Sequence, residues 1–226
     1  MTDTSPNDLP QRRPIAARDT GWANRIASWL ASRDVTPNQI SVASVVFAGV
    51  AGALLLARLQ LPDGWAAAAL VLAAVCIQGR LLCNLFDGMV AVEGGKTTPA
   101  GEMFNDIPDR IADPLILIGA GYAAAAMGYA PLLGWLAALL AVLTAYIRVL
   151  GVSLDAPADF GGPMAKQHRM ALITVACVLS LAEFWVLPAG SVLTAALVLV
   201  VFGAALTVWR RTRTLYRFLN ARATEG

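Results

Sequence analysis

Long apolar runs separated by short polar connectors constrain this 226-residue chain more than any other feature of its sequence. Hydrophobic residues make up 58% of the chain and charged residues 14%, whereas ordinary globular domains hold about 45–50% and about 25%. The mean hydropathy of +0.63 agrees with that composition. These values indicate an all-α polytopic membrane protein and exclude a disordered chain and a soluble nucleic-acid binder. We therefore expect the lipid bilayer, and no nucleic acid, as a partner.

Six of the apolar runs are long enough to cross a bilayer as helices. A hydrocarbon core about 30 Å thick needs roughly 20 apolar residues per helix. The predicted transmembrane helices are 37–59, 64–92, 101–127, 130–151, 167–187 and 190–210. The chain is accordingly divided into a cytoplasmic N-terminal segment, 1–35, a six-helix membrane domain, 36–218, and a cytoplasmic tail, 219–226.

An amphipathic pattern precedes the first of these spans. A helix over Trp22–Arg33 would place Trp22, Ile26, Trp29 and Leu30 on one face. This pattern predicts an N-terminal amphipathic helix that lies in the membrane interface. A short soluble cap is the alternative.

The distribution of positive charge predicts the orientation of the chain. In the topology above, 14 of the 17 Lys and Arg residues, Arg211 among them, lie on the same side as the two termini. Arg58 alone lies on the opposite side, and Arg80 and Arg110 lie within spans. Positive residues prefer the cytoplasmic loops of membrane proteins. We therefore expect both termini to be cytoplasmic.

Polar side chains interrupt the second and third spans at the ends joined by their connecting loop. One helical stripe of the second span holds Arg80, Asn84, Asp87 and Ala91, and one stripe of the third span holds Gly101, Asn105, Asp109 and Asp113. Because the two helices are antiparallel, we expect Asp87 to lie level with Asn105, and Asn84 with Asp109. Two facing oxygen-rich stripes favour Mg²⁺, Mn²⁺ or Ca²⁺ over zinc.

Small residues lie beside these polar stripes. Gly88, Ala91 and Gly101 leave space in which a bulky ligand could approach the carboxylates, or they allow close helix packing. Ahead of the first span, the segment TPNQ at 36–39 fits a capping box. Capping alone explains that segment, so a binding role for it is optional.

The spacing of these residues resembles the signature of the CDP-alcohol phosphotransferases, D-x2-D-G-x2-A-R-x8-G-x3-D-x3-D. The matching positions are Asn84, Asp87, Gly88, Ala91, Gly101, Asn105 and Asp109. The resemblance extends to the six spans, the interfacial helix, a TPN tripeptide and a basic fourth loop. Asn84 and Asn105 stand where the family has aspartates, and Val92 stands where it has arginine. The chain is therefore most similar to a divergent bacterial subgroup.

The resemblance implies a metal-dependent enzyme of phospholipid synthesis. Such an enzyme transfers a phosphoalcohol group, which we expect to be phosphatidyl, from a CDP-linked donor such as CDP-diacylglycerol to an acceptor hydroxyl, and releases CMP. The resemblance further implies Mg²⁺ or Mn²⁺ as one or two ions, and a homodimer. It also implies an inner-membrane location with the active site on the cytoplasmic side.

Roles for individual residues follow from the same resemblance. Asp109 is the expected general base. The expected metal ligands are Asn84, Asp87, Asn105, Asp106 and Asp109. The expected donor-binding residues are Asn38, Gly88, Ala91 and Gly101. The expected phosphate- or acceptor-binding residues are Arg148, Lys166, His168 and Arg169, whose alternative role is in topology alone. Arg80 and Asp113 are expected to balance charge, with Arg80 paired to Asp87 or Asp109.

Two other classes of function stay open at this point. A catalytically degenerate, non-enzymatic membrane paralogue is favoured by the two amides, because they remove two negative charges from the site. An ion-coupled transporter is the other alternative, since buried charges also mark ion paths. Against a transporter, the acidic residues cluster at one end of two spans, whereas transporter sites usually lie near the midplane.

Overall fold

The computed structural model describes residues 20–93 and 101–225, and these residues form seven α-helices and their connectors. The helices are α1 Gly21–Ser32, α2 Pro37–Ala57, α3 Asp63–Glu93, α4 Gly101–Ala123, α5 Ala130–Ser153, α6 Lys166–Leu179 and α7 Ser191–Glu225. Short 3-10 turns follow three of them, at Arg58–Gln60, Ala125–Met127 and Ser180–Phe184. Helices thus lie at each of the six positions that the apolar runs predict.

Four of these helices are long and apolar enough to cross a membrane by length and composition. They cover Pro37–Gln60, Asp63–Ala91, Ala130–Ser153 and Ser191–Ala223. The helix α4 is outside this set because five charged residues fall within it, and α6 because it ends after 14 residues. The protein is therefore a membrane protein with four candidate spans in its described part. Crossing by α4 and α6 stays a prediction.

The first helix matches the predicted amphipathic segment. Its buried residues are Ala23 and Ala27, and it packs against α3. Trp22, Ile26 and Trp29 are exposed. The chain thus presents an aromatic and aliphatic face at this end, as the amphipathic pattern indicates. The location of α1 in the membrane interface stays a prediction.

The second helix begins with the predicted capping box. The Thr36 hydroxyl accepts a hydrogen bond from the Gln39 amide at 3.3 Å, and the Gln39 side chain accepts one from the Thr36 amide at 3.0 Å. These two bonds satisfy backbone donors that the first turn of a helix otherwise leaves without partners. The capping interpretation of this segment is confirmed.

Helix α2 packs between α3 and α4, which make few contacts along their lengths. The close approach of α2 and α4 depends on two glycines. A Cβ atom on Gly119 would lie 2.9 Å from the Gly52 Cα, and one on Gly52 would lie 2.7 Å from the Leu115 carbonyl oxygen. Small residues let helix backbones approach in this way. Helix α5 then packs on α4 and α7, and α6 on α3 and α7.

A buried ion pair joins the helices at the end opposite the N-terminus of α2. Arg58 donates hydrogen bonds to the Glu183 carboxylate and, at 3.1 Å, to the Ala123 carbonyl oxygen. Glu183 also accepts hydrogen bonds from the amides of Gly190 and Val192, at 2.9 and 2.8 Å. Arg58, the one positive residue expected on the outer side, is therefore buried, and its partner Glu183 holds the start of α7 in place.

Candidate active site

Arg80 lies at the centre of the polar residues that the sequence places inside the helices. Its side chain is fully buried. The guanidinium donates to Asp109 at 3.1 Å and to Asp113 at 2.6 Å. Of the two partners expected for Arg80, the structure therefore gives Asp109 and adds Asp113. These ion pairs bring α3 and α4 together at one end of the bundle.

Two basic residues in the first turn of α6 complete this arrangement. Lys166 donates a hydrogen bond to the second oxygen of Asp109. Arg169 donates to the second oxygen of Asp113 at 2.9 Å, and to the Thr144 hydroxyl on α5 at 3.3 Å. Both oxygens of each carboxylate are thus bound by cationic side chains. The spacing of residues along the helices does not predict this pairing of α6 with the two carboxylates.

Asp87 has different partners. Its carboxylate accepts hydrogen bonds from the Ser41 hydroxyl at 2.9 Å and from the Gly88 amide at 2.6 Å. Its side chain makes no ion pair with a cation in the described part of the chain. Sequence reasoning missed Ser41, although it lies three residues after Asn38 and so on the same face of α2. We call Arg80, Asp87, Asp109, Asp113, Lys166 and Arg169 the polar layer.

Asp106 lies apart from this layer. Its carboxylate pairs with Arg148 at 2.8 and 2.9 Å and with Arg110 at 3.3 Å. The Arg148 guanidinium also lies 5.3 Å from the centre of the Phe160 ring. The expectation that Asp106 joins the metal ligands therefore has no support from its described contacts. The side chain of Asn105, another expected ligand, lies outside the described part of the structure.

The other expected binding residues are nearer the surface. Gly88 and Ala91 lie in the last two turns of α3 and are half-buried, as are Gly101 at the start of α4 and Asn38 in the first turn of α2. His168 is exposed, and its Nδ1 lies 3.1 Å from the Pro163 carbonyl oxygen. The structure therefore leaves His168 outside the polar layer.

The loop between α5 and α6 is held against α7, and this contact positions Lys166. Gly162 has a φ of +135°, a conformation that side chains with a Cβ rarely adopt, and a Cβ there would lie 2.4 Å from Thr207. Arg211 donates to the carbonyl oxygens of Gly161 and Thr144, at 3.0 and 2.6 Å. Arg211 was expected only to mark the cytoplasmic side, but it is buried and fixes this loop.

The described side chains offer few oxygen ligands for a hard divalent ion. Asn84, Asp87 and Asp109 supply only two carboxylates, and Asp109 is already bound by Arg80 and Lys166. No group of three Asp, Glu, His or Cys suited to a metal occurs among the described residues. Mg²⁺ needs few protein ligands, because it keeps several waters and binds substrate phosphates. A single Mg²⁺ or Mn²⁺ ion is therefore compatible with this donor set.

The unpartnered atoms of the site are hydrogen-bond donors. The Nε and Nη1 atoms of Arg80, the Nε of Arg169 and the Nδ2 of Asn84 are buried without an acceptor in the described part of the chain. Buried polar groups in proteins almost always have a partner, which is an ordered water or a ligand where the protein supplies none. Donors of this kind suit an anion such as a phosphate group.

The sequence profile of one family, CDP-alcohol phosphatidyltransferase, matches residues 34–209, which include every residue of the polar layer. The chain belongs to this family. It is therefore a phosphotransferase enzyme, and the family assignment favours catalysis over ion transport. Comparison with curated proteins found no match.

The fold is similar to that of solved structures of Mycobacterium tuberculosis phosphatidylinositol phosphate synthase. The structure in complex with manganese and citrate has a TM-score of 0.69 at 21% identity, and the match covers 86% of this chain and 88% of that one. The structure with CDP-DAG bound has the same TM-score and identity, and the match covers 86% of this chain and 93% of that one. The apo form has a TM-score of 0.66 at 20% identity and covers 85% and 95%. At these identities the likeness establishes the fold.

Proposed function

We propose that this enzyme transfers a phosphatidyl group from CDP-diacylglycerol to the hydroxyl of a negatively charged acceptor and releases CMP. The observation that carries this proposal is the polar layer itself. A buried carboxylate, Asp109, lies among cations that have donor atoms to spare. Such a layer binds phosphate groups and offers one base beside them.

Asp109 is the proposed general base. Its side chain is 9% exposed and is fixed from two sides by Arg80 and Lys166. A carboxylate held in this way is positioned to accept the proton of an acceptor hydroxyl as that oxygen attacks phosphorus.

Two groups of residues are proposed to bind the substrates. The donor would lie along the ends of α2 and α3, at Asn38, Gly88 and Ala91, with Gly101 opposite. The bond between Ser41 and Asp87 supports this assignment, because it joins those two helix ends. The acceptor would be bound by Arg148, whose contacts with Asp106 and Phe160 leave it partly accessible beside the layer.

A divalent ion is part of the proposal. Mg²⁺ or Mn²⁺ held by Asn84, Asp87 and Asp109 would neutralise charge on the pyrophosphate oxygens of the donor. The two amides reduce the negative charge available to hold it, so we expect the ion to bind more weakly than in an all-carboxylate site. The manganese in the related solved structure supports this part of the proposal.

The site is further proposed to face the cytoplasm in an inner membrane, and the enzyme to be a homodimer. The orientation is supported by the excess of Lys and Arg on the side of the termini. The family resemblance supports the homodimer.

The test is CMP release from CDP-diacylglycerol by the purified enzyme in mixed micelles with Mg²⁺ or Mn²⁺. A panel of acceptors would include inositol phosphate, glycerol phosphate, serine and inositol. We expect release to require an acceptor and to be greatest with a phosphorylated one, and to be lost in Asp109→Asn. Absence of CMP release with every acceptor would refute the proposal, as would equal release by Asp109→Asn.

A further inference from the structure

We infer that the Lys166 ammonium replaces one divalent cation, so that each active site binds a single metal ion. This inference rests on the proposed function, because it concerns the ion that would assist the transfer. It assigns to Lys166 a role beyond phosphate binding.

The contacts of Asp109 leave little room for a second ion. Lys166 and Arg80 bind different oxygens of this carboxylate. The side chains of Lys166 and Asp109 are 15% and 9% exposed, so the pair is largely removed from water. A buried pair of this kind is costly to break, because the partner that stays is an uncompensated charge. With the one ion proposed at Asn84, Asp87 and Asp109 in place, a second ion would be the fourth cation on this carboxylate, so it would have to displace Lys166 or Arg80.

The balance of charge leads to the same conclusion. The polar layer holds three carboxylates and three cationic side chains, so its formal charge is zero before any metal binds. The pyrophosphate of a CDP-linked donor has one acidic hydroxyl on each phosphate and carries one negative charge on each at neutral pH. A single divalent ion therefore neutralises the bound donor. Arg148 and Arg110 share one carboxylate, Asp106, and so leave positive charge for a negatively charged acceptor. A second ion would add two positive charges beside Arg80, Lys166 and Arg169.

The unpartnered atoms of the candidate site also disfavour a second cation. The atoms on Arg80, Asn84 and Arg169 that have no acceptor among the described residues are all hydrogen-bond donors. A vacant cation site would instead be surrounded by oxygens without donors. These donors suit the phosphate oxygens of a substrate, and a second cation would lie beside the same guanidinium groups and be repelled by them.

Lys166 is held where it is by the loop that precedes it. Arg169 donates to the Met164 carbonyl oxygen at 2.9 Å, and the Met164 amide donates to the Thr207 hydroxyl at 3.2 Å. These bonds fix the loop against α7 on one side and against α6 on the other. Helix α6 therefore begins from a fixed point, and the Lys166 ammonium lies against Asp109 without substrate in the site.

The experiment is a count of bound Mn²⁺ by electron paramagnetic resonance on the purified full-length enzyme, with and without CDP. We expect one Mn²⁺ per chain in the wild type. Lys166→Gln should bind its first Mn²⁺ about tenfold more tightly, because it removes a nearby positive charge. Adding Asn84→Asp and Asn105→Asp to that variant should allow a second Mn²⁺ to bind.

Two controls keep the measurement specific. Arg222→Gln removes a positive charge from an exposed pair with Asp155 and should leave both the count and the affinity unchanged. Lys166→Arg keeps the charge and should still bind one Mn²⁺. Two ions in the wild type would overturn the inference, as would an unchanged affinity in a folded Lys166→Gln variant.

The Mn²⁺ count does not depend on turnover, so the two proposals fail separately. One bound ion without CMP release would refute the proposed function and leave the single-ion site standing. CMP release by an enzyme with two bound ions would support the proposed function and refute the single-ion site.

Discussion

Replacing Arg80 by methionine tests whether the polar layer is a set of buried ion pairs. Arg80 is fully buried and bridges Asp109 and Asp113 at 3.1 and 2.6 Å. Its removal leaves each carboxylate with a single cation, Lys166 or Arg169. Removing one partner of a buried pair costs about 3–5 kcal/mol.

This cost translates into a measurable loss of thermal stability. For a protein of this size, 1 kcal/mol corresponds to a shift in Tm of about 2–4 °C. We therefore expect Arg80→Met to lower the Tm of the detergent-solubilised protein by roughly 6–20 °C. The matched control is Arg222→Met, which breaks a pair whose side chains are 61% and 78% exposed, and which should change the Tm little.

A double-mutant cycle isolates the interaction of Arg80 with Asp113. In Asp113→Leu, Arg80 and Arg169 each keep their positive charge but lose one carboxylate partner. The double variant Arg80→Met/Asp113→Leu removes both charges of the Arg80–Asp113 pair. We expect the double variant to lose about 1–3 kcal/mol less than the sum of the single variants. Additivity within about 0.5 kcal/mol, or a Tm of Arg80→Met equal to that of the control, would refute the assignment of these pairs.

Three further predictions concern activity. Asp87→Ala and Asp109→Ala should each abolish CMP release, since these are the two signature aspartates that this chain retains. Both variants should still elute from size exclusion as the wild type does. Near-normal release by either variant would contradict the site assignment. Arg148→Gln should raise the KM for a phosphorylated acceptor about tenfold with a smaller change in kcat, because its role is to bind charge; an unchanged KM would assign it to topology alone. Gly162→Ala should lower the Tm by about 5 °C and reduce CMP release, because the φ of +135° at Gly162 and its contact with α7 exclude a Cβ. The control is Gly161→Ala at the neighbouring position, which should have little effect on either quantity.

The positions of the helices were predictable because the signals for them are local. Apolar runs of sufficient length become helices wherever lipid or protein replaces water around the backbone. The capping box at Thr36 is a contact between residues three apart, so its sequence pattern is sufficient to predict it. The shared stripe of Asp109 and Asp113 likewise follows from the pitch of one helix.

Helix ends and membrane crossing were less predictable. The fifth span was expected over 167–187, but α6 ends at Leu179 and a 3-10 turn follows. Glu183, in that turn, binds Arg58 and the amides that precede and begin α7, and this tertiary contact fixes where the chain turns. A hydropathy pattern carries no information on such a partner, since 125 residues separate Glu183 from Arg58.

The partners of the charged side chains were decided by the tertiary structure alone. The sequence identifies Asp109 as a site residue and Lys166 as a basic residue near the same end of the membrane domain. That Lys166 binds Asp109 itself depends on the packing of α6 against α3 and on the docking of the preceding loop onto α7. A buried charge selects its partner by distance in three dimensions, because its electrostatic energy depends on separation and on exclusion of water and not on position along the chain.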